Sequence, residues 1–393
     1  MLSGGPFQRR IDSTDGTLNL VTAAVRLIPP APDPDDGLIR LRGEVRDFVA
    51  EQRAAGSFSP TVDCWMTGVD LDFTRALVER GWIGMTIPVE YGGHGRTFME
   101  RFVVTEELLA AGAPVAAHWI ADRQMAPSIL KYGTEAQKRE FLPRIADATC
   151  LWAIGMSEPD SGSDLASVRT RAARVDGGWR IAGTKVWTSG AHLAQRLMTL
   201  ARTAPVDPSD RHAGLSQFIV DLAAPGVTVR PIVSMNGAHH FNEVILDDVL
   251  VPDDMVFGEI GRGWQQVTSE LSFERSGPER VLSTFPVLQA CVDRPDASVG
   301  ALVARVAGLH QMSESVAGAL SRGESANIPA AVVKVLGTAA EGDIADAADL
   351  LSDDDPAFAA VVARGVDQLP GFTIRGGSSE VLHGVIAREL GLR

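Results

Sequence analysis

The chain has 393 residues, 45% of them hydrophobic, with 36 Lys and Arg against 50 Asp and Glu for a formal charge of −14. That length can bury more than one core and divides into two or three domains, which excludes a single small module. The acidic residues are scattered, a distribution that disfavours a nucleic-acid surface and leaves any anionic substrate dependent on local basic residues.

Cys64, Cys150 and Cys291 lie far apart with no CxxC pair, so they build neither a disulfide framework nor a four-ligand zinc site. A reducing, cytoplasmic setting is expected. No uncharged apolar run approaches the roughly 18 residues of a spanning helix, the N-terminus has no signal-type apolar segment, and Gly391-Leu392-Arg393 matches no peroxisomal address. No membrane partner is therefore expected.

Residues 1–36 are polar, punctuated by glycine and by Pro29-Pro30-Ala31-Pro32, and read as a loosely attached arm with one short helix at 18–27. From 37 to 147 the pattern is helical. Leu41, Val45 and Val49 recur at turn spacing, while Gly81, Gly92-Gly93 and Gly112-Ala113-Pro114 mark breaks. From 148 to 261 the period changes to that of strands: Val175-Asp176-Gly177-Gly178-Trp179 puts a glycine turn between alternating runs, and further runs follow at 217–220, 227–229 and 243–246. From 262 to 393 helices return, at 264–292, 299–320, 329–351 and 379–390. The order predicts an α+β multi-domain chain: an N-terminal all-α domain, a middle antiparallel β-barrel or sandwich, and a C-terminal domain like a four-helix bundle. A cofactor cleft is expected where the three meet.

Two segments carry chemistry. In Met156-Ser157-Glu158-Pro159-Asp160-Ser161-Gly162-Ser163-Asp164, hydroxyls and a glycine alternate around a rigid Pro step, so backbone N–H groups can approach a planar polar cofactor or a phosphate. By itself such a stretch reads equally as an Asp/Ser turn. In Gly183-Thr184-Lys185-Val186-Trp187-Thr188-Ser189-Gly190 an indole and a hydroxyl stand two residues apart on one face of a strand.

These segments resemble the flavin-binding strands of acyl-CoA dehydrogenases. Further ordered matches run along nearly the whole chain: Glu79-Arg80-Gly81-Trp82, Glu90-Tyr91-Gly92-Gly93, Phe241-Asn242-Glu243-Val244, Asp247-Asp248-Val249-Leu250-Val251-Pro252, Gly377-Ser378-Ser379-Glu380-Val381 and Ala387-Arg388-Glu389-Leu390. The resemblance implies FAD as cofactor. It implies that Met156 and Ser157 lie along the isoalloxazine, that Trp187, Thr188 and Ser189 cover its other side, and that Gly162 and Ser163 approach the CoA end of the substrate. Ser378 and Glu380 would contact FAD or start the last helix.

The chain departs from the family at the base. Medium-chain members carry a catalytic Glu directly before the Gly-Thr-Ser step of the last motif, where this chain has Gly376. Glu274, in Leu271-Ser272-Phe273-Glu274-Arg275-Ser276-Gly277-Pro278, occupies the place where isovaleryl-type and long-chain-type enzymes hold their base on an earlier helix. Pro278 cannot donate to the carbonyl of residue 274, so a kink is expected one turn beyond Glu274. The resemblance then assigns Glu274 the α proton, the Gly376 N–H a hydrogen bond to the thioester carbonyl, and Arg275 support of Glu274 or of CoA. The β hydrogen would leave as hydride to flavin N5, giving a trans-2-enoyl-CoA, with electrons passing to an electron-transferring flavoprotein.

Residues 280–309 lack the Arg and Phe-Gly step by which family members reach a neighbouring subunit's FAD. This is similar to a branch that includes enzymes shortening steroid side chains, some of them heteromers, so a homo- or hetero-oligomer, dimer or tetramer, is expected. Two other functions stay open: a non-catalytic subunit of a heteromeric dehydrogenase, and a flavin monooxygenase or oxidase on the same fold. His239-His240 would point to opposite faces of a strand, and no metal site is expected there.

Overall fold

Asp35 starts the first helix by accepting the N–H of Gly37 at 2.6 Å, which satisfies one of the donors that a helix N-terminus leaves open. That helix, α1 (Asp36–Ala54), buries Leu41, Val45, Phe48 and Val49 along one stripe, at the spacing the sequence carries. The computed structural model describes residues 27–392 except Pro34, Ser276, Pro295 and Asp353, and except the side chains of residues 271–274. The helix expected at 18–27 thus falls, save its last residue, outside the described residues.

Six more helices complete this part: α2 (Cys64–Thr67), α3 (Leu71–Glu79), α4 (Phe98–Ala110), α5 (Ala116–Ile120), α6 (Ala126–Tyr132) and α7 (Glu135–Ala146). Capping boxes set the starts of α4, with Thr97 and Glu100, and of α7, with Thr134 and Gln137. Between α5 and α6 a wide turn of π type, Ala121–Met125, inserts five buried residues, including Asp122 and Arg123.

The middle part is a sheet of eight strands: β1 (Trp152–Gly155), β2 (Arg171–Val175), β3 (Gly178–Ser189), β4 (Arg196–Arg202), β5 (Leu215–Asp221), β6 (Val227–Ile232), β7 (Phe241–Pro252) and β8 (Val256–Phe257). The spatial order is β6-β7-β3-β2-β4-β5-β8, with β1 beside β4. The predicted hairpin forms: Val175 pairs with Gly178, and Gly177 takes the left-handed φ of 75° that the two-residue turn requires. Five pairings are antiparallel, but β1 lies parallel to β4, from Trp152 beside Arg196 to Gly155 beside Thr199, and β2 meets β4 in parallel at Arg171 and Arg202. Hairpin patterns register only local partners. A parallel pair needs a long crossover, here the whole β2–β3 excursion.

Helices α8 (Gly263–Arg275), α9 (Phe285–Cys291), α10 (Ala297–Ser321), α11 (Asn327–Leu350), α12 (Pro356–Phe372) and α13 (Ser379–Glu389) follow. The single helix expected over 264–292 is instead two. The ladder stops at Arg275, Pro278–Arg280 forms a 3-10 turn, and α9 begins only at Phe285, so the proline breaks the helix where a kink was predicted. The sequence reading lacked α12, whose Pro356, Gly365, Pro370 and Gly371 hide its period; Pro356 sits at the tolerated first position, behind the Asp355 cap.

One apolar cluster takes in Leu41, Phe48, Leu77 and Val104 together with Val287, Val316, Val333 and Ile344, so the first and last helices share a core. A second joins Ile129, Phe141 and Leu142 to Trp152, Met198 and Ile219 of the sheet. Each such side chain is worth about 1.5–3 kcal/mol on burial. These two cores fix helices and sheet against each other. No helix of the described residues is long and apolar enough to cross a membrane.

Candidate active site

Leaving β1, the chain is lashed to β3 at once. Lys185, fully buried on β3, donates through Nζ to Glu158 Oε1 at 2.8 Å and to the Met156 carbonyl at 3.2 Å, while the Val186 N–H donates to the Ser157 carbonyl at 2.9 Å. The Glu158 carboxylate also accepts the N–H groups of Arg169 at 2.6 Å and Thr170 at 3.0 Å. Burial pushes the Glu158 carboxyl up, but Lys185 and these donors outweigh it and hold the group below the ordinary carboxylate range. Burial moves Lys185 down to about 8. The loop that leaves β1 and the far end of β3 are therefore one rigid unit, which brings Met156 and Ser157 to the segment of Trp187, Thr188 and Ser189.

Trp187 is not core. It is 57% exposed, stands at a bulge between Lys185 and Thr188, and has a left-handed φ of 57°. A bulge re-aims a side chain, and a non-glycine residue in this conformation costs about 1–3 kcal/mol, so the surrounding structure enforces the display. The indole meets Phe241 edge-on, centroids 5.5 Å apart, making an aromatic shelf open to solvent. Met156, Ser157 and Ser189 are half-buried beside it. Neither serine hydroxyl is used by a partner among the described residues. Thr188 differs: it is fully buried, and its Oγ1 finds no partner among the described residues. Gly162 and Ser163 are exposed, and a Cβ added to Gly162 would meet nothing within 4 Å. An apolar shelf, free hydroxyls around it and an orphaned buried hydroxyl fit a planar heteroaromatic group edged with hydrogen-bonding atoms.

Next to this loop lies a feature that sequence reasoning missed. Arg169, Arg171, Arg202 and Arg211 line a cleft of about 360 Å³ with Asp160 and Ser167. Arg202 is spread over the carbonyls of Ala166, Val168 and Ala213, while Asp160 takes Arg169 at 3.0 Å and Asp164 takes Arg211 at 2.6 Å. The arginines come from three separate stretches of chain, and only the 169/171 pair is adjacent enough to be a signal.

On the opposite side, α8 ends against the last turn. The Glu274 side chain lies outside the described residues, but its neighbour Arg275 donates through Nε to the Gly376 carbonyl at 2.8 Å. Gly376 and Gly377 both have left-handed φ, 69° and 92°, and a Cβ on Gly377 would stand 3.0 Å from Arg275 Nη2. Such a turn favours glycine and leaves no side chain at 376. Ser378 caps α13, accepting the Val381 N–H at 3.4 Å, and Glu380 is exposed in the first turn, where the backbone N–H and the Ser378 hydroxyl keep its carboxyl below the ordinary range.

His239 and His240 precede β7 instead of lying on it. His239 stacks on His192 at 4.3 Å, and Asn242 bridges the two at 3.0 and 3.1 Å. Among the described residues no three metal-ligating side chains converge.

The N-terminal domain model of acyl-CoA dehydrogenases matches residues 37–149, and the middle-domain model matches 153–249. An acyl-CoA dehydrogenase of Mycobacterium tuberculosis, IpdE1, is 46% identical over 241 residues, which are 60% of this chain and 62% of that protein, so the match spans under two thirds of the relative's length. Among solved structures, the Tcur3481-Tcur3483 steroid ACAD superposes with a TM-score of 0.77 at 28% identity, covering 92% of this chain and 98% of that one. The ChsE4-ChsE5 complex of Mycobacterium tuberculosis gives 0.74 at 28% identity, covering 92% and 99%. Two domain models matched in order over more than half of the residues, on a fold shared almost end to end, place the chain in the acyl-CoA dehydrogenase family.

Proposed function

We propose that the chain is a cytoplasmic FAD-dependent acyl-CoA dehydrogenase with Glu274 as the base that takes the α proton, giving a trans-2-enoyl-CoA. The observation that carries this reading is the 2.8 Å bond from Arg275 to the Gly376 carbonyl, because it seats the helix end bearing Glu274 against the turn that lacks its own carboxylate. Met156, Ser157, Trp187 and Ser189 would hold the isoalloxazine, with buried Thr188 beside them, and Ser378 and Glu380 would contact FAD or start the last helix. Bound FAD supplies the acceptor for the β hydrogen. The Gly376 N–H donates to the thioester carbonyl as charge builds on it, a role that needs only backbone. Gly162 and Ser163 pass the CoA chain toward the arginine cleft, whose guanidinium groups suit its phosphates. The proposed divisions are an arm at 1–36, helical domains at 37–147 and 262–393, and the β domain at 148–261.

The paired names of the two solved relatives support assembly with a second, unlike chain, and electrons would leave to an electron-transferring flavoprotein. The left-handed turn at Gly376 favours a second reading, a non-catalytic subunit in such a pair. One experiment separates them. Acyl-CoA panels, including branched and steroid-derived thioesters, are added anaerobically to the flavin-loaded protein. The dehydrogenase bleaches, and Glu274→Gln lowers the rate by at least about 100-fold with flavin retained. Equal bleaching by the variant would move the base elsewhere, and absence of both flavin and bleaching would favour the subunit.

A further inference from the structure

A short buried stretch of the first helical segment grips the chain on both sides of the site. Asp63 is fully buried, and its φ of 56° is left-handed, a conformation that a non-glycine residue keeps only where its neighbours impose it. Its N–H donates to the Ser283 carbonyl at 2.8 Å. Its Oδ2 accepts Arg375 Nη1 at 2.6 Å, and its Oδ1 has no partner among the described residues. Arg375 is held further by the faces of Trp65, 4.9 Å away, and Phe372, 5.4 Å away. Ser283 is tied three more times: its N–H to buried Glu341 at 2.7 Å, its Oγ from the Trp65 indole at 3.0 Å, and its Oγ to the Glu279 carbonyl at 3.0 Å. Ser283 lies on the segment that follows α8, and Arg375 immediately precedes Gly376. Asp63 and Trp65 therefore hold both.

We propose that Asp63, acting through Arg375, is a positioning residue that fixes the Gly376 N–H relative to the helix end carrying Glu274. This inference rests on the role given to that N–H above. Two successive glycines make a permissive backbone, and a donor must stay within a fraction of an ångström or so of its place to favour developing charge. The turn cannot supply that stiffness alone. Arg275 takes the carbonyl of Gly376, and the Asp63–Arg375 pair takes the residue before it. Charge-assisted and buried, the pair is short and resists displacement. Asp63 acts only through the guanidinium, so its loss loosens the donor without removing any group from the reacting atoms.

The probe is acetoacetyl-CoA, whose β-keto thioester ionises to an enolate that is read by its near-ultraviolet absorbance without turnover. Bound to the flavin-loaded wild-type protein, its apparent pKa falls below the free value. In Asp63→Asn the fraction ionised at a fixed pH drops about ten- to a hundredfold, while flavin content and affinity for free CoA stay unchanged. Arg375→Lys, which keeps a cation opposite Asp63, loses less than Arg375→Gln. An Asp63→Asn protein that ionises the probe like wild type overturns the proposal alone. If that variant fails to hold flavin, the Arg375 pair decides: equality of Lys, Gln and wild type overturns it. A wild-type protein that binds the probe with its pKa unmoved sinks the Gly376 role itself, and this inference with it.

Discussion

Lys185 is the side chain on which the proposed flavin site turns, because it joins two carbonyl- and carboxylate-bearing residues of one loop to a strand while fully out of water. Removing one member of a buried pair strands the other. Lys185→Met is therefore expected to cost about 3–5 kcal/mol, read as a lower urea midpoint and faster flavin release, whereas Lys185→Met combined with Glu158→Gln loses less because no charge is left uncompensated. A double variant no better than the single would show that the ion pair is not what joins loop to strand. At this scale the sequence disclosed residue types but not their poses. Family spacing brought Met156, Ser157, Trp187 and Gly376 forward as candidates, but the bulge that turns Trp187 outward adds one residue to a ladder whose alternation does not announce it. The arginine cleft was invisible for a plainer reason: its members are neighbours only after the sheet has formed.

Among elements, the junction of α4 and α10 carries a titratable lock. His310 Nδ1 bonds Glu106, which also takes Arg42 at 2.6 Å, and the imidazole packs on Phe102. The bond to Glu106 raises the His310 pKa; burial pushes Glu106 up, but His310 and Arg42 bring it down past its ordinary value. A raised histidine contributes stability that is complete below its unfolded pKa, about 6.5, and is lost as pH climbs through the higher folded value. The depressed carboxyl adds a term present above about 4.3 and lost below its folded value. The thermal midpoint should accordingly fall as pH rises from about 6.5, and His310→Gln should flatten that slope. A variant with the same slope as wild type would place the titration elsewhere. Element boundaries followed local chemistry where the chemistry was written in sequence, as at Asp176-Gly177. They failed where proline could mean a first helical position, as at Pro356, or a full stop, as at Pro278.

For the whole molecule, the order of helices, strands and helices was readable because each period is local, but who shares a core with whom was not. The helices before and after the sheet put Leu41, Phe48 and Val104 in one cluster with Val287, Val316 and Val333, so the two helical parts share an interior. A chain ended at residue 261 should aggregate or unfold without a sharp transition, and the full chain should show its helical parts melting together in calorimetry. A soluble truncated protein with a steep transition would mean that the shared core is dispensable.

The left-handed pair at 376 and 377 also bears on what the turn will tolerate. A glutamate placed at 376 would stand in a conformation that penalises any Cβ by about 1–2 kcal/mol, and the glycine beside it leaves a Cβ only 3.0 Å from Arg275. Such a substitution would have to re-turn the backbone before the new carboxylate could be of use. Chain geometry at this turn thus works as a latch against a side-chain base at 376, independent of whichever residue takes the proton.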